Sequence, residues 1–163
     1  MMRRVGIFIL ATVLLAGCAS GPGFDSERYR QLATPDDAVS EFQSVKDTAV
    51  LWGGVLIATR NLGEGSEIEV LSYPLKSNQQ PDVNAGSTGR FIVRTNDFIE
   101  PVDYAAGRLL TVTGTLTSTA SGEIGSATAE FPVMQADGIH LWPRGSENTE
   151  PRVHFGFGFV IGG

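Results

Sequence analysis

The sequence is poor in the residue types that catalytic and metal-binding proteins use. It holds one cysteine, Cys18, which excludes a disulfide within the chain and a cysteine-based zinc site. Its two histidines, His140 and His154, are the side chains that titrate near neutral pH, and they lack the close helical spacing of a metal site. A hydrolase nucleophile elbow is also missing. We therefore expect a protein that is not an enzyme and that carries no cofactor or metal.

Charge is scarce as well. Charged residues make up 18% of the chain, against about a quarter in typical globular proteins. The formal net charge is −6, and removal of a leader that contains Arg3 and Arg4 would leave 10 basic and 18 acidic residues, a net charge of −8. An acidic surface of this kind disfavours binding to nucleic acid or to anionic lipid.

The first 18 residues have the pattern of an export signal. Arg3 and Arg4 precede an apolar run, residues 5–15, that is shorter than the roughly 20 residues of a membrane span. The run ends in Leu15-Ala16-Gly17-Cys18, which matches the bacterial lipobox. In that motif the thiol receives a diacylglyceryl group, cleavage follows before the cysteine, and the new amine is acylated. An ordinary secretory peptide with an incidental cysteine is the alternative, and the position of the one thiol argues against it.

These features predict a lipoprotein that is anchored through Cys18. Two or more acyl chains hold a protein on a membrane stably. The next residue is Ala19 rather than the Asp that favours inner-membrane retention, so we expect the outer membrane to be the location. The predicted organisation is a signal peptide over residues 1–17, a lipidated tether over 18–33, a barrel domain over 34–142, and a polar linker with a C-terminal Phe/Gly strand over 143–163.

The remaining sequence fits one domain, and from Thr48 on its apolar period is two, as in β-strands. The clearest strand, Leu110–Thr117, places its threonines on one face, which we expect to be exposed. The first strand contains Gly53 and Gly54, which indicate a bulge or bend, and Trp52, which we expect in the core. We predict a mainly β fold, a small five- to six-stranded OB-like Greek-key barrel with at most one short helix, capped by Thr34. An open β-sandwich is the alternative.

Three arginines form the one polar feature that suggests a binding site. Arg90 and Arg94 share a strand face, and Arg108 opens the next strand. Together they are candidates for contact with an anionic glycan or lipid headgroup. The alternative, which we favour, is pairing with acidic side chains of neighbouring strands: Glu67, Glu69, Glu100 or Asp103.

The end of the chain alternates aromatic residues with glycine. Phe155, Phe157 and Phe159 give the segment one apolar face, which would promote aggregation if it were exposed. We expect this segment to dock on the domain's own sheet as an added strand. Self-association and contact with a membrane surface are the alternatives.

Short motifs follow one another along the chain in a fixed order: the lipobox, Trp52–Val55, Ser72–Leu75, Gly89–Phe91, Phe98–Tyr104, Gly107–Gly114, Gly122–Gly125, Phe131–Val133 and Leu141–Trp142. In order and spacing they resemble the Slp-type outer membrane lipoproteins, a family described as starvation-inducible. The resemblance implies an envelope lipoprotein without a recognised catalytic activity, and it supplies no catalytic residues.

The sequence therefore leads to a non-enzymatic lipoprotein with a role in envelope maintenance or stress tolerance. One alternative is a binding module whose OB-like face holds a periplasmic saccharide, a peptide or an envelope protein partner. Exposed aromatics beside Arg90 and Arg94 would favour that alternative. Another is an enzyme acting on envelope components, which would need His140 or His154 beside an acid in a pocket.

Overall fold

A computed structural model describes residues 21–29 and 34–146. The helices are α1 (Pro35–Ser40) and α2 (Phe42–Val45), and the strands are β1 (Ala49–Asn61), β2 (Ser66–Ser72), β3 (Arg90–Thr95), β4 (Leu109–Ile124) and β5 (Ala127–Leu141). Cys18, His154 and the C-terminal Phe/Gly segment lie outside the described residues. No helix within the described ranges is long and apolar enough to cross a membrane.

The strands form one closed barrel in the order β1-β2-β3-β5-β4. Neighbouring strands are antiparallel except β3 and β5, which pair in parallel through Ile92–Arg94 and Val133–Gln135. This is the Greek-key arrangement of an OB barrel. It confirms the predicted fold class over the open sandwich.

Strand β1 closes the barrel because it pairs with two neighbours in succession. Its residues 49–55 pair with β4 and its residues 54–61 pair with β2, with a register shift between Leu56 and Ala58. Gly54 lies where both pairings overlap, and a Cβ there would be 1.9 Å from the carbonyl oxygen of Leu71. Glycine is needed at this position because the two strands approach closely, and the backbone does not adopt a left-handed conformation there.

The helices cover one end of the barrel. Thr34 caps α1 as predicted, and Asp37 completes a capping box with it. Ala38 is fully buried in the core, and Phe42 and Val45 pack against the core's edge. The sequence prediction allowed at most one short helix, but the structure divides this stretch into two at Glu41.

The barrel interior is filled by alternate residues of all five strands. Trp52 lies in this core, as predicted, with its ring edge-on to that of Phe91 at a centroid distance of 5.3 Å. The other buried strand residues of the cluster are aliphatic: Val50, Leu56, Ile68, Val70, Val93, Leu110, Val112, Leu116 and Met134.

The prediction that the threonine face of β4 is exposed is wrong for its first half. Thr111 and Thr113 are buried, with 0% and 2% of their surface exposed, whereas Thr117 is exposed. The connection between β2 and β3 folds back over this outer face, and its residue Gln79 accepts a hydrogen bond from Thr111. A period-two pattern identifies the two faces of a strand but does not tell which face a distant loop covers.

Candidate functional site

The face at which OB barrels bind their ligands is formed by the outer side of β2 and β3. In this chain it carries charged residues in cross-strand register. Arg60 of β1 lies opposite Glu67 of β2, and Glu67 lies opposite Arg94 of β3. We refer to Arg60, Glu67, Glu69, Arg90 and Arg94 as the charge ladder.

The side chains of the charge ladder bind one another. Glu67 accepts hydrogen bonds from Arg60 and, at 3.2 Å, from Nε of Arg94. Glu69 accepts one from Arg90 at 2.8 Å. The Glu67 side chain is only 10% exposed, while those of Arg60 and Arg94 are 69% and 46% exposed. The ladder therefore offers a ligand a face on which the cations are already paired.

The structure separates the third candidate, Arg108, from the other two. Its guanidinium donates to the carbonyl oxygen of Asp103 at 2.8 Å and to that of Trp142 at 2.7 Å. Arg108 thus ties the β3–β4 connection to the end of β5. An anion contact for Arg90, Arg94 and Arg108 stays a prediction, and the three do not form one cluster.

The histidine that the structure describes belongs to the fold's outer layer. His140 lies near the end of β5, with its ring edge-on to Trp142 at a centroid distance of 4.7 Å. Within residues 21–29 and 34–146, no three His, Cys, Asp or Glu side chains are grouped to hold a metal ion.

A hydrogen-bond relay runs across the outer face of β4. The indole nitrogen of Trp142 donates to the Thr111 hydroxyl at 2.9 Å, and that hydroxyl donates to the carbonyl oxygen of Gln79 at 2.7 Å. Trp142 is 6% exposed and Thr111 is fully buried. The Trp142 N–H and the Thr111 hydroxyl thus have hydrogen-bond partners where water is excluded, as buried polar groups need.

The side chain of Gln79 fixes the N-terminal segment 21–29 to the barrel. Its amide oxygen accepts from the main-chain N–H of Phe24 at 3.0 Å, and its amide nitrogen donates to the Phe24 carbonyl oxygen at 2.7 Å. The same nitrogen lies 3.2 Å from the Ser26 hydroxyl. One glutamine therefore pairs with both main-chain polar groups of Phe24, as a neighbouring strand would.

Two further contacts hold the segment. The main chain of Gly21 lies so close to Asn78 that a Cβ on Gly21 would be 1.8 Å from the Asn78 carbonyl oxygen. At the other end, the Tyr29 hydroxyl donates to the Asp137 carboxylate at 3.1 Å. Burial and the neighbouring Asp137 raise the pKa of the Tyr29 hydroxyl. Residues 21–29 were predicted to belong to a tether, and in the structure they lie against the barrel.

Sequence reasoning missed Gln79, Trp142 and Asp137 as members of this outer layer. One signal was present, because Asn78-Gln79-Gln80-Pro81 has the composition of a turn. Gln79 has a φ of 68°, a conformation rare for residues other than glycine. The partners of such a residue depend on which distant segments the turn meets, and the local sequence does not encode that.

A cleft of about 310 Å³ lies between α1, β1 and the residues that follow β2. Apolar residues that line it include Leu51 and Leu75, and the hydroxyl-bearing residues are Thr34, Ser72 and Thr88; Trp52 also borders it, with its ring packed in the core. Asp37 also lines it, and the hydrogen bonds that Thr34 donates from its side chain and main chain lower the pKa of the Asp37 carboxyl. The cleft offers hydroxyl and carboxylate acceptors beside an apolar wall.

Comparison with known proteins places these observations in a family. The sequence model of the outer membrane lipoprotein Slp family matches residues 15–158. An uncharacterized protein of Haemophilus influenzae is 35% identical over 150 residues, which cover 87% of this chain and 78% of the relative.

Two similar proteins come from Escherichia coli. The uncharacterized lipoprotein YeaY is 31% identical, with 80% of this chain and 67% of the relative covered. The outer membrane protein Slp is 27% identical, with 86% and 76% covered.

Among solved structures, the small single-stranded DNA-binding protein of Streptomyces coelicolor is similar with a TM-score of 0.37 and 17% identity. The match covers 58% of this chain and 94% of that one. These values are too low to indicate a shared function.

Proposed function

The chain belongs to the outer membrane lipoprotein Slp family, and on that basis we propose that it is held at the outer membrane by acyl chains on Cys18 and supports the envelope without catalysing a reaction. The outer membrane is the location of the family. The specific proposals are the acylation of Cys18, the non-enzymatic role, and a contribution to envelope maintenance or stress tolerance.

The observation that carries the proposal is the lipobox Leu15–Cys18, which ends at the one cysteine of the chain. A thiol at that position can accept a diacylglyceryl group, and the small residues Ala16 and Gly17 fit the cleavage that follows. Acyl burial contributes about 0.8 kcal/mol per CH₂, so several chains on one cysteine give a stable anchor.

The charge ladder supports a non-enzymatic role. The arginines of this face are all paired: Arg90 binds Glu69, and Arg60 and Arg94 share Glu67, which leaves one positive charge in excess. An anionic substrate would meet arginines whose charge is already largely balanced by hydrogen-bonded glutamates, of which the Glu67 side chain is only 10% exposed. The face is built to hold the strands together and to present a nearly neutral surface to its surroundings.

The experiment that tests the proposal compares complementation of a deletion strain by three forms of the protein. Wild type and Ser20→Ala, which leaves the lipobox intact, should fractionate with the outer membrane and restore resistance to detergent in starved cells. Cys18→Ser should be absent from the outer membrane and should restore little resistance. A deletion strain as resistant as its parent would contradict the envelope role, and Cys18→Ser in the outer membrane fraction would contradict the anchor.

A second candidate function is the binding of a neutral saccharide in the cleft beside Trp52. The observation that favours it is the combination of hydroxyl acceptors with an apolar wall in a cavity of about 310 Å³, the lower end of the usual size for small-ligand sites. Titration with the disaccharide of N-acetylglucosamine, followed by NMR, should shift the Thr88 and Ser72 amides if this is so. Unchanged spectra at millimolar saccharide would exclude this ligand.

A further inference from the structure

We infer that the docked segment 21–29 sets the orientation of the barrel on the membrane, with the connection Lys76–Gln80 facing the lipid headgroups and the β4–β5 hairpin tip pointing away from them. The inference rests on the proposed acylation of Cys18. The connection Lys76–Gln80 is then the membrane-facing surface, and Gln79 is the residue that positions this surface.

Only a short stretch of chain separates the proposed anchor from the docked segment. Cys18 precedes Gly21 by three residues. Consecutive Cα atoms are 3.8 Å apart, so whatever its conformation this stretch spans at most about 11 Å. Gly21 itself lies against the main chain of Asn78. The connection that contains Asn78 must therefore lie close to the membrane surface in which Cys18 is held.

The docked segment is fixed to the barrel at three points along its length. Gly21 is closely packed on Asn78, Phe24 is paired through both its main-chain polar groups with Gln79, and Tyr29 is bonded to Asp137. Gln79 is in turn held by the buried Thr111. A segment fixed in this way transmits the position of the anchor to the barrel, whereas a free tether would let the barrel tumble.

The surface brought near the membrane is polar. The connection presents Lys76, Ser77 and Asn78, of which Lys76 and Ser77 are exposed. Polar and cationic side chains of this kind suit the headgroup layer of a bilayer. The Lys76 side chain is 45% exposed, and its amine pairs with the Asp82 carboxylate at 3.9 Å, so this surface presents a cation with its own counter-charge.

The opposite end of the molecule is far from this surface. The docked segment contacts β5 at Asp137, and the hairpin tip at Gly125–Ser126 precedes the other end of β5. The ten residue-to-residue steps from Ala127 to Asp137 span roughly 30 Å in a strand. The hairpin tip is thus the part of the described chain that would meet partners away from the bilayer.

The experiment uses the full-length lipoprotein in phosphatidylethanolamine–phosphatidylglycerol vesicles that carry a nitroxide quencher on the headgroups. Because Cys18 is acylated, Ser77→Cys and Ser126→Cys each provide one site for a maleimide fluorophore; both serines are exposed. The fluorophore at position 77 should be quenched severalfold more than that at position 126. Equal quenching at the two positions, or stronger quenching at position 126, would overturn the inference.

The role of Gln79 is tested by repeating both measurements with Gln79→Asn. Asparagine tolerates the left-handed backbone at this position but is one methylene too short to pair with Phe24. This variant should lose most of the difference between positions 77 and 126, whereas the control Gln80→Ala should keep it. A difference that survives Gln79→Asn unchanged would overturn the positioning role.

Two further readouts separate the inference from the proposed anchor. Flotation with vesicles reports the anchor alone, so a protein that fails to float contradicts the acylation of Cys18. Hydrogen exchange of the Phe24 amide in detergent reports the docking alone. It should be slow in wild type and at least tenfold faster in Gln79→Asn. A tenfold increase corresponds to a decrease of about 1.4 kcal/mol in the free energy of undocking. Fast exchange in the wild type would overturn the docking whatever the flotation result.

Discussion

The indole of Trp142 and the main-chain carbonyl of Gln79 are joined through a single buried hydroxyl, that of Thr111. The hydroxyl accepts from Trp142 Nε1 at 2.9 Å and donates to the Gln79 carbonyl oxygen at 2.7 Å. Trp142 follows β5, and Gln79 lies in the long loop between β2 and β3. This one threonine therefore joins the end of the barrel to that loop. Through Gln79 it also supports the docked segment.

Replacing Thr111 with valine tests this connection. Valine keeps the shape of the side chain but leaves the Trp142 N–H and the Gln79 carbonyl without their partner, at a cost of about 1–3 kcal/mol. The urea midpoint of Thr111→Val should fall accordingly. Thr115→Val is the matched control, because Thr115 is only partly buried on the same face of β4. Equal losses in the two variants would contradict a special role for the Thr111 hydroxyl.

The close approach of β1 and β2 gives a second prediction. A Cβ at Gly54 would lie 1.9 Å from the Leu71 carbonyl oxygen, and backbone atoms cannot move aside cheaply. Gly54→Ala should therefore destabilise the barrel by about 1–3 kcal/mol or more. Gly63→Ala, whose Cβ would meet nothing within 4 Å, should leave the thermal midpoint almost unchanged. Similar midpoints for the two variants would show that the strands can separate at Gly54.

The barrel was predictable from the sequence because its signals are local. The period of two in β2, β3 and β4 and the two glycines inside the apolar β1 indicate strands and the point where one strand serves two neighbours. The burial of Thr111 was not predictable, since it depends on a connection more than twenty residues away in sequence. The division of the N-terminal helix at Glu41 was equally hidden, because the apolar positions Ala38, Phe42 and Val45 fit one continuous helix.

The charge ladder gives a third prediction. Glu67→Gln combined with Glu69→Gln removes the partners of Arg60, Arg90 and Arg94. The double variant should be retained on a sulfated polysaccharide column at low salt and released as salt screens the interaction. Wild type should not be retained, nor should Glu64→Gln with Glu123→Gln, which has the same net charge. Equal retention of wild type and the ladder variant would mean that the arginines bind anions despite their partners.

In the candidate site as well, contacts between neighbouring strands were predictable from the sequence, and contacts with distant segments were not. The acidic partners of Arg90 and Arg94 were among the alternatives read from the sequence, because cross-strand neighbours follow from strand order. Arg108 was grouped with them because it opens a strand, yet it binds two carbonyl oxygens elsewhere. Gln79 and Asp137 were missed, since their partners lie in a segment that the composition indicated to be a tether.

The capping box of α1 gives a prediction for pH. The hydrogen bonds from Thr34 lower the pKa of Asp37 in the folded protein, so the stabilisation is complete above the ordinary aspartate pKa of about 3.9 and is lost as pH falls through the lowered value. Asp37→Asn should thus lower the thermal midpoint near neutral pH and converge with wild type in strong acid. The control is Asp36→Asn, which removes a charge from the same helical turn without breaking the box. A gap between Asp37→Asn and wild type that stays constant down to strong acid would contradict this role.

Anchoring of this barrel at the outer membrane through Cys18 determines the mass of the mature N-terminal peptide, which can be measured on protein from purified outer membranes. This peptide should begin at Cys18 and carry a diacylglyceryl group on the sulfur and a further acyl chain on the amine. A mature peptide that retains residues before Cys18, or one that begins at Cys18 with an unmodified thiol, would contradict this anchoring.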